Sequence, residues 1–139
     1  YAYMLTPKGF SEKARLVTDY MHRSLSLYRE ASSAYSDCVN QLLEQNKTTV
    51  ILCGASELTE IASLWLERAG VKVKFIFDQD ATKSRYAHYD IAHSLSETDI
   101  KEAALLLTTM QKDRMLELID ATGVADMAHV IVPSILQQQ

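Results

Sequence analysis

The sequence predicts an α/β protein in which one long helix precedes a small parallel sheet covered by helices. Two patterns lead to this prediction. Residues 6–46 carry apolar side chains at helical spacing, with no proline or glycine between Phe10 and Gln45. From Thr48 onward, short apolar runs typical of buried strands alternate with amphipathic helical segments, as in sheets whose parallel strands are joined by helices.

The long helix is expected to pair with a second helix. Thr6 suits its N-cap, and Pro7 suits the first helical position, where the missing N–H costs no hydrogen bond. Apolar or small residues then recur at alternating spacings of three and four, which is the heptad pattern of paired helices. This seam consists of Ala14, Val17, Met21, Ser24, Tyr28, Ala31, Tyr35, Cys38 and Leu42.

A second copy of the chain is the expected partner of this seam. A following domain of roughly 90 residues offers too little surface to cover a helix of this length, and identical helices pair most simply in a symmetric dimer. The predicted dimer interface is the seam from Val17 to Leu42, in parallel or antiparallel pairing. The alternative is an amphipathic helix that folds back on its own chain.

The second part of the chain is predicted to form a five-stranded sheet over residues 47–134, followed by a frayed tail over 135–139. Strands are expected at 48–53, 71–77, 90–93, 103–108 and 127–132. Helices are expected at 57–69, 97–101 and 111–122, with Ser96 before the second and with Gly70 and Gly123 closing the other two. Right-handed crossovers then give the strand order 3-2-1-4-5 of a Rossmann-like domain.

Composition and charge restrict the classes of function. The chain has 139 residues and a net charge of −4 at pH 7, so its own surface is poorly suited to hold DNA. No apolar run approaches the ~20 residues of a membrane span. Cys38 and Cys53 fall in apolar patterns, which predicts two buried free thiols and fits a cytoplasmic protein.

The candidate ligand site lies at the carboxyl edge of the predicted sheet. Gly54, Ala55 and Ser56 form the turn after the first strand, and Asp78 ends the second. Ligands of open parallel sheets bind at this edge, and an acidic residue at the position of Asp78 can hold the hydroxyls of a ribose. The candidate ligand of these four residues is therefore a nucleotide or a nucleotide-sugar.

The turn departs from the dinucleotide-binding pattern G-x-G-x-x-G, of which only Gly54 is present. Ser56 replaces the second glycine and adds a side chain where a pyrophosphate needs close approach to the backbone, and Thr59 replaces the third and hinders close packing of the helix on the strand. Glu57 and Glu60 place carboxylates in the first helical turn, where they repel a phosphate. These departures argue against NAD, and they leave open a scaffold without a ligand.

No catalytic or metal-binding constellation is expected. The four histidines are scattered, neither cysteine has a neighbouring base, and no G-x-S-x-G pattern is present. Asp78, Asp80 and Asp90 fit solvated loop carboxylates better than a set of ion ligands. Residues 81–89 are expected to form a polar loop, with a lid over the ligand site as the alternative. The candidate lid residues are Lys83, Arg85, Tyr86 and His88.

The beginning of the chain resembles MarR-type winged-helix regulators. The segment Tyr3–Phe10 (YMLTPKGF), followed by Glu12–Leu16 (EKARL), is similar to the place where a wing strand leads into the dimerising helix of that family, and especially of its subgroup associated with exopolysaccharide gene clusters. The resemblance covers residues 1–27, of which 1–5 correspond to the end of the wing strand. It implies that an upstream winged-helix domain makes all contacts with DNA.

The second half is similar to small Rossmann domains of sugar-modification and nucleotide-sensing proteins, through Cys53–Ala55 and Phe77–Asp80. Together the two resemblances favour the dimerisation and ligand-sensing portion of a transcriptional regulator. Two alternatives remain open. One is a small enzyme domain that depends on NAD or a nucleotide-sugar, and the other is an interaction module whose Rossmann core has lost its ligand.

Overall fold

The computed structural model describes residues 7–137, apart from the side chains of residues 7, 8 and 10. The chain divides into two compact units, residues 1–30 and residues 31–139. The predicted wing strand at 1–5, the predicted N-cap Thr6 and the last two residues of the predicted tail lie outside the described residues. Helix α1 spans Pro7–Glu44 and belongs to both units, which agrees with the helix predicted over residues 6–46.

In the first unit, the apolar side chains of α1 are exposed. Because successive residues of an α-helix are 100° apart, these side chains occupy about half of the helix circumference. The stripe is formed by Leu16, Val17, Tyr20, Met21, Leu25, Leu27 and Tyr28, each of which is about half exposed or more. Ser24 lies within this stripe and is also exposed.

In the second unit, the continuation of the same seam is buried. Ala31, Tyr35, Cys38 and Leu42 are at most 5% exposed and belong to the hydrophobic core of this unit. The Tyr35 hydroxyl also donates a hydrogen bond of 2.7 Å to the carbonyl oxygen of Leu107 in the sheet. The prediction that these four residues face a partner helix is therefore wrong. They cover the sheet of their own chain, whose apolar face needs a helix against it.

The sheet has six strands in the order β3-β4-β2-β1-β5-β6. Their bounds are Thr49–Cys53 for β1, Lys72–Phe77 for β2, Arg85–Tyr86 for β3, Tyr89–Ala92 for β4, Ala104–Leu107 for β5 and Val130–Ile131 for β6. Strands β1, β2, β4, β5 and β6 are parallel, and β3 is the one antiparallel strand of the described sheet and pairs with β4. Counting only the parallel strands, the order is 3-2-1-4-5. The predicted fold class and strand order are confirmed.

The helices of the second unit follow the predicted segments closely. They are α2 at Glu57–Ala69, α3 at Glu97–Glu102, α4 at Lys112–Thr122 and α5 at Ser134–Gln137. Ser96 caps α3, while Gly70 and Gly123 end α2 and α4 with φ values of 74° and 69°, the left-handed conformation that glycine adopts at little cost. Both cysteines are free and buried, as predicted.

The structure differs from the predicted elements near the carboxyl terminus. Met127–His129 forms a 3-10 turn, and the side chain of Asp126 caps it by accepting a hydrogen bond from the amide of Ala128. The last strand is therefore shorter than predicted. Residues 135–137 belong to α5 and not to the predicted frayed tail, because Ile135 and Leu136 are buried in the core.

The predicted loop at 81–89 contains a short edge hairpin. Strands β3 and β4 are joined by Ala87 and His88, whose φ values of 51° and 71° are both positive. Two-residue hairpin turns of type I′ require positive φ at both positions, and asparagine and glycine usually occupy them. Here Ala87 and His88, which adopt positive φ less readily, take the same backbone conformation.

Within residues 7–137, no helix is both long enough and apolar enough to span a lipid bilayer.

Candidate functional site

The residues predicted to bind a ligand meet at the carboxyl edge of the sheet. Cys53, the last residue of β1, pairs with Phe77 of β2 on one side and with Leu107 of β5 on the other. The three segments that follow these strands therefore lie side by side, at the position where the strand order reverses. They border a cleft of about 610 Å³.

Gly54 is required by a contact inside the protein. Its φ is +118°, and a Cβ placed on it would lie 2.5 Å from the Cβ of Thr109. Its carbonyl oxygen accepts hydrogen bonds from the hydroxyls of Thr59, at 2.7 Å, and Thr108, at 2.6 Å. The one glycine that survives from the dinucleotide pattern thus lets the loop after β5 pack against the loop after β1.

The two residues that replace glycines build the beginning of α2. Ser56 is its N-cap, and the Ser56 hydroxyl oxygen accepts a hydrogen bond of 3.1 Å from the amide of Leu58. The same hydroxyl donates to the Thr108 carbonyl at 2.6 Å. In return, the Thr59 hydroxyl accepts a 3.0 Å hydrogen bond from the Ser56 amide. This reciprocal capping stabilises the helix and uses the hydroxyl proton that a phosphate would need.

Asp78 joins two loops of the edge through its carboxylate. Its Oδ2 accepts a hydrogen bond of 3.0 Å from the amide of Ala55, and its Oδ1 accepts one of 3.0 Å from the amide of Asp80. From the sequence, Asp78 was predicted to lie near the turn and to contact a ribose. The structure brings it to the turn itself, where it binds a backbone donor.

Asp80 and Asp90 are engaged in ion pairs at separate places. The guanidinium of Arg114 contacts both Asp80 oxygens, at 3.0 and 3.1 Å, and this hydrogen bonding lowers the pKa of Asp80 below its usual range. Asp90 lies 3.5 Å from Arg85. Within residues 7–137, no cluster of three histidine, cysteine or acidic side chains is arranged to hold a metal ion.

The four candidate lid residues play different roles. Lys83 and Tyr86 line the cleft. Burial, together with the charges of Glu60 and Glu57, raises the pKa of Tyr86, so the phenol stays neutral and forms an uncharged wall. Arg85 and His88 stabilise the hairpin instead, with the Arg85 guanidinium donating a 3.1 Å hydrogen bond to the His88 carbonyl.

A second cavity, of about 450 Å³, lies at the opposite edge of the sheet. Gln41 and Gln45 from the end of α1 border it, together with Ala104 of β5 and Val130 of β6. Sequence analysis missed this cavity, because its wall combines residues far apart in the chain and none of the contributing segments has a recognisable pattern.

The chain matches no family model, no curated protein and no solved structure. The architecture and the contacts at the sheet edge are therefore the basis for inferring its function.

Proposed function

We propose that this chain is the dimerisation and ligand-sensing portion of a cytoplasmic transcriptional regulator, whose winged-helix DNA-binding domain precedes the segment that resembles MarR-type proteins. One observation carries the proposal. The apolar stripe of α1 between Leu16 and Tyr28 is exposed, although its continuation in the same helix is buried in the core.

A second copy of the helix suits this stripe. Full burial of one large apolar side chain contributes roughly 1.5–3 kcal/mol, and several such side chains from each copy together offset an association cost of about 4–15 kcal/mol. The stripe includes Val17, Met21, Ser24 and Tyr28, the part of the seam whose heptad spacing favours a helical partner. A symmetric pair also presents two DNA-binding domains to two half-sites.

The sensing part of the proposal rests on contacts between α1 and the edge of the cleft. The Tyr35 hydroxyl binds the carbonyl of Leu107, and the next residue, Thr108, binds Gly54 and Ser56 of the turn. A ligand that shifts the loop after β5 would therefore act on α1 through a buried hydrogen bond. Such coupling counts as allosteric only if the ligand distinguishes two states of the helix.

The mass of the chain in solution tests the dimerisation part. Static light scattering should give twice the 15.7 kDa of one chain. A panel of small molecules screened by thermal shift tests the sensing part, since a ligand present at 100 times its Kd adds roughly 2.7 kcal/mol to the free energy of unfolding. A monomer at micromolar concentration would refute the first part, and no stabilisation by any compound would count against the second.

An interaction module without a ligand is the second candidate function. It is favoured by the hydrogen bonds of the turn, in which the polar groups expected to bind a nucleotide bind one another instead. This candidate predicts a stable dimer whose melting temperature does not respond to any compound of the panel.

A further inference from the structure

We infer that the carboxylate of Asp78 takes the position of a ligand phosphate at the turn after β1, so that this turn excludes dinucleotides and other phosphate-bearing ligands. In Rossmann folds the backbone amides of this turn, together with the N-terminus of the following helix, bind the pyrophosphate. Here the amide of Ala55 already donates to Asp78 Oδ2 at 3.0 Å.

The internal carboxylate is held firmly in place. Its second oxygen accepts a hydrogen bond from the amide of Asp80, and the Asp78 amide itself donates a 3.0 Å hydrogen bond to the carbonyl of Ala92 in the neighbouring strand. An anion bound through both oxygens to backbone donors resembles a bound ligand more than a mobile surface side chain. A phosphate would have to displace it and would meet its negative charge.

The turn also lacks the open approach that a pyrophosphate needs. The second glycine of the dinucleotide pattern normally lets a pyrophosphate approach the backbone, but Ser56 stands in its place, and Gly54 serves a close contact with Thr109 instead. The Ser56 hydroxyl donates to Thr108, so it cannot donate to a phosphate at the same time.

The charges around the cleft point in the same direction. Arg114 is bound to both oxygens of Asp80 and is thereby neutralised. With this ion pair counted as neutral, Lys83 carries the one positive charge among the residues described along the cleft, while Glu57 and Asp78 carry negative charges. A dianionic phosphate entering this cleft is therefore repelled more than it is attracted.

Phosphate-bearing compounds are thereby excluded from the ligands that the cleft can bind. This statement about ligands rests on the proposed sensing function. A ligand sensed there carries no phosphate and is held by the side chains farther out, such as Tyr86. The contact between Ala55 and Asp78, in contrast, can be measured without knowing any ligand.

The test is amide hydrogen exchange and chemical shift at Ala55, recorded by NMR on the whole chain. In the wild type we expect a protected Ala55 amide whose shift does not move when inorganic pyrophosphate or ADP is added to millimolar concentration. Asp78→Ala should speed exchange at Ala55 by roughly 10- to 100-fold, the range for losing a hydrogen bond to a charged acceptor. Asp78→Asn, which preserves the shape, should speed it less and serves if the alanine variant does not fold.

Asp80→Ala is the matched control, because it removes a neighbouring carboxylate and leaves its backbone amide bound to Asp78. It should change exchange at Ala55 by less than about twofold. An Ala55 amide that exchanges as fast as an exposed turn, or that shifts with pyrophosphate, would overturn the inference. Neither result depends on the oligomeric state, so a monomer with a protected Ala55 would refute only the proposed dimer.

Discussion

At the scale of single residues, the residues that suggest a nucleotide-binding turn by their sequence positions make contacts inside the protein instead. Gly54 fits a nucleotide-binding turn by sequence, and in the structure it fits a close approach of Thr109. Ser56 and Thr59 stand at the positions of missing glycines, and they form a reciprocal cap. Sequence position identified the residues that converge. It did not indicate that they bind one another, because the bonds from Asp78 to Ala55 and from Thr108 to Gly54 and Ser56 join loops 23 to 54 residues apart.

Replacing Gly54 by alanine should destabilise the protein by about 2–5 kcal/mol. The added methyl group would overlap the Thr109 side chain, and alanine is strained at a φ of +118°. Gly70→Ala is the matched control, since φ is also positive there and no atom lies within 4 Å of the added Cβ. It should cost only about 1–2 kcal/mol. Urea unfolding measures both, and equal losses would contradict the assigned role of Gly54.

The two thiols should be inert while the protein is folded. Burial raises the pKa of Cys38 to about 12 and raises the pKa of Cys53 as well, and the thiolate is the reactive form. A thiol reagent added at about pH 8 should therefore label both residues only as fast as the protein opens. Labelling that is complete before any unfolding is detectable would show that a thiol is exposed.

At the scale of elements, the helices and the strand order could be predicted, because they follow from periodicity, caps and right-handed crossovers. The surface that each part of α1 packs against could not be predicted. The heptad pattern runs without a break from Val17 to Leu42, yet Tyr35 and Leu42 bury themselves in their own chain while Met21 is exposed. An apolar face indicates that something covers a helix, and its spacing does not distinguish a sheet from a second helix.

The edge hairpin also escaped prediction, because Ala87 and His88 lack the usual signature of its turn. We expect His88→Gly to stabilise the protein by up to about 1 kcal/mol, because relief of about 1–2 kcal/mol of left-handed strain at a φ of 71° exceeds the roughly 0.4–1 kcal/mol by which glycine favours the unfolded chain. Thr82→Gly, outside the positive-φ positions, should be neutral or should destabilise by up to about 1 kcal/mol. Thermal melts of the two variants measure the difference, and a loss of stability in His88→Gly would argue against this turn.

At the scale of the whole molecule, one helix contains both an exposed apolar stripe and part of a folded core. The exposed stripe favours pairing with a second helix. The hydrogen bond from the Tyr35 hydroxyl to the Leu107 carbonyl joins the buried part of the helix to the sheet. If the dimer forms as proposed, its melting temperature should rise with protein concentration, because association stabilises the folded state by mass action.

Sedimentation equilibrium of three proteins tests the central claim, pairing through the exposed stripe, most directly. The wild type should sediment with twice the mass of one 15.7 kDa chain. Met21→Glu, which places a charge within the stripe, should sediment as a monomer, because burying an unpaired carboxylate is strongly unfavourable. His22→Glu, which lies 100° farther around the helix and outside the stripe, should remain a dimer. A monomeric wild type, or a Met21→Glu variant that dimerises as well as the wild type, would contradict the account.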